Sequence, residues 1–225
     1  MTRLTLSAAV ATLLLAAACK SPEKVPAAAA AAVGAKPGPE IAAADQARIQ
    51  GKATAAIWVV EVSDFQCPFC KMWHDSTYAI LKREYVDPGK VRLAYINFPL
   101  GKHQNAMPAA EAAMCAAVQD KFWAMQDALF DSQQQWETMS DASPVFASLA
   151  ARAGVDVAKM KACVASGMIK PLIDADVERA RTAGVNSTPT FIIGGEMIEG
   201  AQPMSVFRQA IDAALAAAAS GSKKP

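Results

Sequence analysis

The chain has 225 residues and a nearly even charge balance, with 22 Lys and Arg against 21 Asp and Glu and a formal net charge of +1 at pH 7. Because it contains no long block of like charge, we expect no nucleic-acid partner, and because no glycine-rich phosphate loop is present, we expect no bound cofactor. The length allows one large or two small domains with a sizeable hydrophobic core.

Residues 1–19 have the composition of an export signal, with Arg3 followed by an apolar core over residues 4–15. This core is too short to span a bilayer comfortably. The small residues before Cys19 fit an ordinary signal-peptidase site, and they also resemble a bacterial lipobox, in which leucine rather than Ala16 is usual three positions before the cysteine. We therefore predict a periplasmic or otherwise extracytoplasmic protein, and we favour lipidation of Cys19, which would anchor it to a membrane, over an unlipidated form.

Residues 20–40 consist almost entirely of Ala, Pro, Lys and Gly. A segment without large apolar side chains cannot bury enough surface to offset the entropy of ordering, so we predict a disordered tether. Such a tether would hold a folded domain, residues 41–218, away from a membrane surface, which agrees with a lipid anchor at its start. Residues 219–225 are predicted to form a polar tail.

The first half of the predicted domain alternates between helix and strand. A short amphipathic helix is predicted over residues 41–50 and ends at Gly51. Residues 56–62 are almost continuously apolar and rich in β-branched side chains, a pattern typical of a strand covered on both faces. Helical spacing then extends from residue 68 to about residue 85, and a second strand is predicted over residues 91–98.

The second half begins with a helical insertion at about residues 101–183, in which we find hardly a strand candidate. Apolar periodicity predicts five helices there, over residues 106–118, 121–130, 143–153, 156–165 and 169–183. Residues 190–193 and 197–199 are then predicted to form a hairpin around Gly194-Gly195. A last amphipathic helix is predicted from residue 203 to about residue 218.

Two cysteines, Cys67 and Cys70, stand three positions apart where the first predicted strand is followed by a helix. At a helix N-terminus, unpaired amide groups and the helix dipole favour a thiolate, whereas the second sulfur lies one turn deeper. Pro68 suits the first turn because its missing N–H would have no partner there. This asymmetry is typical of a redox pair, in which Cys67 is the nucleophile and Cys70 is the resolving thiol.

The remaining cysteines allow two interpretations. Export places the chain where disulfides persist, and if Cys67 pairs with Cys70, then Cys115 is left to pair with Cys163 as a structural disulfide. Alternatively, the four thiolates form a structural zinc site. Cys115 and Cys163 are isolated in helical sequence, which disfavours zinc, and we expect no metal.

The order of strand, CxxC helix, strand, helical insertion and hairpin resembles the DsbA-like branch of the thioredoxin superfamily over residues 41–218. The CPFC sequence and the segment Ser187-Thr188-Pro189-Thr190-Phe191 carry this resemblance. It implies an α/β, thioredoxin-like fold with a helical insertion. It also implies a protein disulfide oxidoreductase that acts on unfolded or thiol-containing exported proteins and exchanges electrons with a redox partner in the membrane.

The resemblance assigns roles to the residues around the cysteines. In this family the proline before the hairpin is cis and lies beside the CxxC, so Pro189 would form the floor of a substrate groove. The backbone of Thr188 would then be free to pair with an extended substrate. Phe65 and Phe69 are predicted to be apolar rims of the same groove.

The family also keeps a buried acidic residue six positions before the first cysteine, and Glu61 holds that position here. In the functional interpretation, Glu61 is a proton acceptor for Cys70, a role that suits a carboxyl group whose pKa is raised by burial. In the alternative interpretation, Glu61 is a strand-end residue that faces water.

The chain has two histidines, to which we assign other roles. His74 is interpreted as a surface residue. His103 is interpreted as a capping or packing residue, in a loop that could approach the site.

The sequence leaves the direction of the reaction open. Strongly oxidising members of the family carry Pro-His between the cysteines, and Phe69 cannot supply the charge of that imidazole, so we expect a less oxidising pair. Thr188 resembles the corresponding residue of isomerases and reductases, but residues 20–50 are too short to form an isomerase's dimerisation domain, so we expect a monomer.

Two alternative functions remain open. The first is a redox-inactive, chaperone-like module that binds peptides near Pro189, and the second is a dedicated reductant for an assembly partner.

Overall fold

The computed structural model describes residues 38–221 of the chain. The predicted signal segment with Cys19, most of the tether and the last residues of the polar tail lie outside the described residues. Within residues 38–221, no helix combines the length and apolar character needed to cross a membrane.

A five-stranded mixed sheet forms the centre of the described domain. Its strands are β1 (Ile49–Gln50), β2 (Ile57–Ser63), β3 (Val91–Asn97), β4 (Thr190–Ile193) and β5 (Glu196–Glu199), in the spatial order β1-β3-β2-β4-β5. β2 pairs in parallel with β3 and antiparallel with β4, so it lies in the middle of the sheet. A middle strand is covered on both faces, which explains the almost continuous apolar run of β2.

The N-terminal helix differs from the prediction. α1 covers Pro39–Ala47, so it begins inside the predicted tether, and Ile49–Gln50 form β1, antiparallel to β3. The prediction of helix over residues 41–50 is therefore wrong at its C-terminal end. The physical reason is Arg48, which is only 2% exposed and forms an ion pair with the fully buried Asp176 of the helical insertion. This buried pair holds the chain against the sheet where the helix would otherwise continue.

The helix that follows β2 carries both redox cysteines. It begins as α2 (Pro68–Trp73) and continues through a π-helical turn (His74–Tyr78), α3 (Ala79–Leu81) and a second π-helical turn (Lys82–Val86). The prediction of helix from residue 68 to about residue 85 is confirmed. Gly89, whose φ is +81°, makes the tight turn after the helix, and its N–H donates to the carbonyl of Val86.

The helical insertion is confirmed in position and in content. Five of its helices match the predicted segments to within one residue at each end, and α6 is a further helix that the sequence analysis did not predict. The insertion consists of α4 (Ala106–Ala117), α5 (Phe122–Asp131), α6 (Gln133–Trp136), α7 (Ser143–Arg152), α8 (Val157–Ser166) and α9 (Lys170–Thr182). α6 was missed because a single turn rich in glutamine shows no apolar periodicity.

A disulfide joins Cys115 in α4 to Cys163 in α8 across 48 positions of sequence, with an S–S distance of 2.00 Å. In the chain-entropy account, closing a loop of that length stabilises the fold by about 4 kcal/mol. Because a disulfide offers no thiolate ligands, these two residues cannot complete a zinc site with Cys67 and Cys70, which rules out the four-thiolate alternative.

The C-terminal part of the domain is a hairpin followed by a helix, as predicted. β4 and β5 turn at Gly194 and Gly195, which have φ values of +58° and +91°. α10 covers Met204–Gly221, three residues beyond its predicted end. It therefore includes the first residues of the segment predicted to be a polar tail.

Most of the hydrophobic core consists of two clusters of buried side chains. One contains side chains of α2, β2, β4 and α10, including Trp73 and Phe207. The other consists mainly of insertion helices, and Cys67, Cys70 and Tyr95 belong to it. The redox cysteines therefore pack against the helical insertion, which covers the resolving thiol.

Candidate active site

The chain leaves β2 at Ser63 and makes a short turn that places Cys67 at the N-cap of α2. The N–H of Cys67 donates to the carbonyl of Asp64 at 3.0 Å, and the carbonyl of Cys67 accepts the N–H of Lys71 at 3.2 Å. Pro68 occupies the first helical turn. The Cys67 side chain therefore lies at a helix N-terminus, where backbone amides without helical partners favour negative charge.

Both cysteines of the CxxC have free thiols, and both are buried, Cys70 more completely than Cys67. Cys67 is 4% exposed, whereas Cys70 is fully buried. The Cys67 thiol donates to the carbonyl oxygen of Thr188 at 3.3 Å, and the N–H of Asp64 donates to Cys70 Sγ at 3.5 Å. Only the first sulfur therefore has a path to a substrate.

The surroundings give the two thiols opposite acidities. The hydrogen bond with Cys70 lowers the pKa of Cys67 to about 6, and Thr188 and the amides of the first helical turn contribute, although burial opposes them. Burial, the hydrogen bond with Cys67 and the charge of Cys67 raise the pKa of Cys70 well above its usual value. At pH 7 the site therefore holds a thiolate at Cys67 and a protonated thiol at Cys70.

A cavity of about 550 Å³ opens onto Cys67. Its wall includes Thr188, which precedes Pro189, and the peptide bond between these two residues is cis. The remaining lining residues are Pro68, Phe69, Leu100, Gly101, Lys102, His103, Asn186 and Ser187. A larger cavity of about 630 Å³ lies beside the Cys115–Cys163 bond, but neither redox cysteine lines it and it shares no lining residue with the cavity at Cys67. The smaller cavity is therefore the candidate substrate site.

Glu61 is fully buried in β2, directly opposite Tyr95 of β3. Neither of its carboxylate oxygens accepts an ordinary hydrogen bond from the described residues. Burial raises the pKa of Glu61 to about 7, and Ser63 and the charge of His74 offset this rise only in part. Burial and the nearby charges of Glu61 and Cys70 likewise raise the pKa of Tyr95, which places the three side chains in one buried region. The interpretation of Glu61 as a strand-end residue that faces water is wrong.

Phe65 does not line the substrate groove, so that prediction is wrong. It is 1% exposed and stacks on Tyr95 with ring centroids 5.0 Å apart. The turn after β2 directs its ring into the insertion core, and Gln133 fixes this turn by donating to the carbonyls of Phe65 and Cys67 at 2.7 and 3.1 Å. Phe69, by contrast, is 56% exposed and lines the cavity.

Two other expectations are corrected. The His74 side chain is only 9% exposed, stacks on Tyr78 and forms a hydrogen bond with Asp127 at 3.0 Å, so it is not a surface residue. Burial lowers the pKa of His74, but Asp127, Glu61 and Asp75 together raise it above its usual value. The carbonyl of Thr188 accepts the Cys67 thiol while that thiol is protonated, so it is free for a substrate only once Cys67 has lost its proton.

Sequence reasoning missed the part that Asp64 plays in the site. Its carboxylate accepts the N–H of Gln66 at 2.7 Å and the N–H of Leu100 at 2.9 Å, and it forms a hydrogen bond of 2.7 Å with Nδ1 of His103. Asp64 thereby ties the loop after β3 to the turn that carries Cys67. Its place just before the CxxC was the only sequence signal, since its partners lie up to 39 positions away.

A mixed sheet of this order, a CxxC at the N-terminus of the helix after its middle strand, and a cis proline beside the first cysteine define a thiol-disulfide oxidoreductase of the thioredoxin superfamily. The helical insertion makes it DsbA-like. A family model described as thioredoxin matches residues 43–213, and the chain belongs to this family.

Known proteins show the same likeness. The probable disulfide bond formation protein D of Bacillus anthracis is 34% identical over 152 residues, which cover 65% of this chain and 69% of that protein. The crystal structure of Wolbachia pipientis alpha-DsbA1 matches with a TM-score of 0.70 and 22% identity, covering 78% of this chain and 94% of that one. The crystal structure of oxidised BdbD from Bacillus subtilis matches with a TM-score of 0.64 and 22% identity, covering 75% of this chain and 92% of that one. The sequence relative and the shared fold identify a protein disulfide oxidoreductase.

Proposed function

We propose that this oxidoreductase exchanges disulfides with exported proteins, with Cys67 as the nucleophile and Cys70 as the resolving thiol. The observation that carries the proposal is the placement of the two sulfurs: Cys67 lines the cavity at a helix N-terminus, whereas Cys70 is fully buried. These surroundings lower the pKa of Cys67 to about 6 and raise that of Cys70 well above its usual value. A thiolate is the attacking species in disulfide exchange, so only Cys67 is ready to attack at neutral pH.

In the reducing direction, the Cys67 thiolate attacks one sulfur of a substrate disulfide, and the second substrate sulfur leaves as a thiolate that takes up a proton. Cys70 then transfers its proton to Glu61 and attacks Cys67 Sγ, which forms the Cys67–Cys70 disulfide and releases the first substrate sulfur. The oxidising direction is the reverse sequence. Glu61 suits this transfer because a carboxyl group with a pKa of about 7 exchanges a proton readily near neutral pH.

We assign the substrate contacts to the cavity wall. Phe69 is exposed there and offers an apolar surface to an unfolded segment, and the backbone of Thr188, the residue before Pro189, lies next to the reacting sulfur. Neither the Cys67 thiolate nor Cys67 in a mixed disulfide carries a hydrogen, so in both states the Thr188 carbonyl is available to a substrate N–H. An extended substrate then binds as an added strand.

Trapping of the mixed disulfide tests these roles. A Cys70→Ala variant cannot resolve the intermediate, so incubation with an oxidised two-cysteine protein gives a covalent complex that a reductant dissolves. The matched Cys67→Ala variant gives no complex. A Cys67→Ala variant that keeps full activity on unfolded substrates would instead favour the redox-inactive, peptide-binding module.

The pKa of Cys67 supports a pair of intermediate oxidising strength. The nucleophilic cysteine has a pKa of about 3.5 in DsbA and about 7 in thioredoxin, and a value of about 6 falls between them. Equilibration with glutathione measures the potential directly. A value of about −120 to −180 mV would indicate an oxidant or isomerase, and one of about −250 mV or lower would indicate a reductant that needs an electron supply.

We further propose an extracytoplasmic location, reached through the predicted signal at residues 1–19, with a lipid anchor at Cys19. The Cys115–Cys163 disulfide supports this, because such bonds persist in oxidising compartments. The electron-exchange partner would then be a membrane protein. Metabolic labelling with palmitate should mark the wild type and not a Cys19→Ala variant, and an unlabelled wild type would remove the anchor from the proposal.

A further inference from the structure

The loop between β3 and α4 brings a histidine into the wall of the substrate cavity. His103 and Cys67 both line this cavity, and the His103 side chain is 14% exposed. Its Nδ1 lies 2.7 Å from the fully buried carboxylate of Asp64. The only imidazole on the cavity wall is thus held from behind by an acidic residue, within the part of the chain that the structure describes.

The contacts of Asp64 fix both the position and the tautomer of this ring. One carboxylate oxygen accepts the N–H of Gln66, and the other accepts the N–H of Leu100 as well as facing His103. A carboxylate can only accept, so Nδ1 must carry the hydrogen, and the lone pair of the neutral ring is then on Nε2. Nε2 has no hydrogen-bond partner among residues 38–221.

We propose that His103, oriented by Asp64, accepts the proton of the substrate thiol that attacks Cys67, and returns a proton to the substrate sulfur in the reverse reaction. The inference deepens the proposed function and rests on Cys67 as the sulfur that meets the substrate. An ordinary cysteine has a pKa of about 8.5, so most of a substrate's thiols are protonated at neutral pH and cannot attack.

The proton and electron balance of the step is simple. The substrate S–H proton moves to Nε2 of His103, and the resulting thiolate attacks Sγ of Cys67 in the oxidised pair. A bond forms between the substrate sulfur and Cys67, the Cys67–Cys70 bond breaks, and its electron pair leaves on Cys70, which takes up the proton held by Glu61. Glu61 therefore exchanges a proton with the buried Cys70, and His103 exchanges a proton with the substrate sulfur at the cavity.

The other charged groups around His103 are compatible with this role. Apart from His103, the titratable side chains that line the cavity are Lys102, on the same loop, and Cys67. Asp64 packs behind the ring and holds Nδ1 by a hydrogen bond, so Nε2 is the ring nitrogen left to take up a proton. Lys102 adds positive charge beside the position of the substrate thiolate.

A His103→Asn variant separates proton transfer from a structural role. The asparagine amide can still donate to Asp64 in place of Nδ1, so the loop stays anchored, but nothing replaces Nε2. The oxidised protein is mixed with a peptide thiol of ordinary acidity and, separately, with an aromatic thiol that is already ionised throughout the pH range of the assay. Stopped-flow measurements give the second-order rate constant of each reaction as a function of pH.

We expect the variant to react about 10²-fold more slowly with the peptide thiol near pH 7 and at the wild-type rate with the ionised thiol. The difference in rate constant between the variant and the wild type should become smaller as the pH rises, because the peptide thiol then ionises without a proton acceptor. The reduction potential of the pair should not change, because a proton acceptor for the substrate alters the rate and not the equilibrium.

Three outcomes overturn the proposal. Equal slowing with both thiols would show that His103 only shapes the site, and no slowing with the peptide thiol would show that it takes no proton. A deficit that does not depend on pH would exclude thiol deprotonation as its cause. If the wild type itself reacts with neither thiol, then the proposed function has failed, a result distinct from the failure of His103 alone.

Discussion

Glu61 is a carboxyl group buried in the middle strand of the sheet, and its ionisation opposes folding. Its pKa in the folded protein is about 7, against an ordinary value of 4.5, and burial is the main cause. Between these pH values the unfolded chain has released the proton while the folded chain still holds it. The folded state binds more protons, so the free energy of unfolding falls as the pH rises from 4.5 to about 7.

The size of this effect follows from the two pKa values. A difference of about 2.5 pH units at 1.36 kcal/mol per unit corresponds to about 3 kcal/mol, fully expressed above pH 7 and absent below pH 4.5. A Glu61→Gln variant keeps the volume and removes the ionisation. We therefore expect it to unfold at the same denaturant concentration as the wild type at pH 4 and to be more stable by about 3 kcal/mol at pH 8.

Urea unfolding at five pH values from 4 to 8 measures this difference, with the m-value checked at each pH. An exposed glutamate of β5 provides the control, since Glu199→Gln should stay within about 0.5 kcal/mol of the wild type at every pH. A stability difference for Glu61→Gln that is flat with pH would refute the reasoning, because it would mean that Glu61 ionises in the folded protein as readily as in the unfolded chain.

Three further predictions concern the cysteines and the two phenylalanines. Thiolate absorbance at 240 nm should show Cys67 titrating near pH 6, and a Cys70→Ala variant should titrate at higher pH, because the hydrogen bond with Cys70 is the largest cause of the lowered pKa. Phe65→Ala should lower the free energy of unfolding by about 3 to 5 kcal/mol, as for other buried aromatic residues, whereas Phe69→Ala should leave stability unchanged and weaken peptide binding in a titration. Removing the structural disulfide by Cys115→Ala should cost up to about 4 kcal/mol in denaturant unfolding, and a loss that persists at the same size when both proteins are fully reduced would show that packing, not the bond, is responsible.

Local sequence signals were sufficient for most of the secondary structure. The strand before the CxxC is recognisable because a middle strand is apolar on both faces, and Pro68 and the glycine pair at 194–195 mark a helix start and a hairpin turn. Each of these features depends on residues within a few positions of one another. They were therefore predictable without any knowledge of the tertiary structure.

The errors arose where a distant partner decides the local structure. The helix predicted over residues 41–50 ends early because Arg48 pairs with Asp176, a residue 128 positions further along the chain. His74 is buried because Asp127, 53 positions away, supplies its hydrogen bond. Asp64 and His103 meet only because the loop after β3 folds back over the end of β2. None of these pairs has a periodicity or spacing that a single sequence can show.

A substitution in the dipeptide between the cysteines tests how this site sets the reduction potential of the pair. Hydrogen bonds from Cys70, Thr188 and backbone amides account for the lowered pKa of Cys67, with no full positive charge among its main causes. A Phe69→His variant would add such a charge when protonated. It should lower the pKa of Cys67 further and make the pair more oxidising, by at most about 30 mV for each pH unit of pKa change, because the reduced form is the one stabilised.

The exposure of position 69 limits this effect. Phe69 is 56% exposed, so solvent would screen part of the charge of an imidazolium placed there. Phe69→Ala is the matched control, since it removes the ring without adding charge. If Phe69→His and Phe69→Ala shift the glutathione equilibrium equally, then the loss of the phenylalanine, and not the imidazole, sets the change. A shift found only with histidine, and larger at low pH and low salt, would show that this fold lacks only a cation beside Cys67 to become a stronger oxidant.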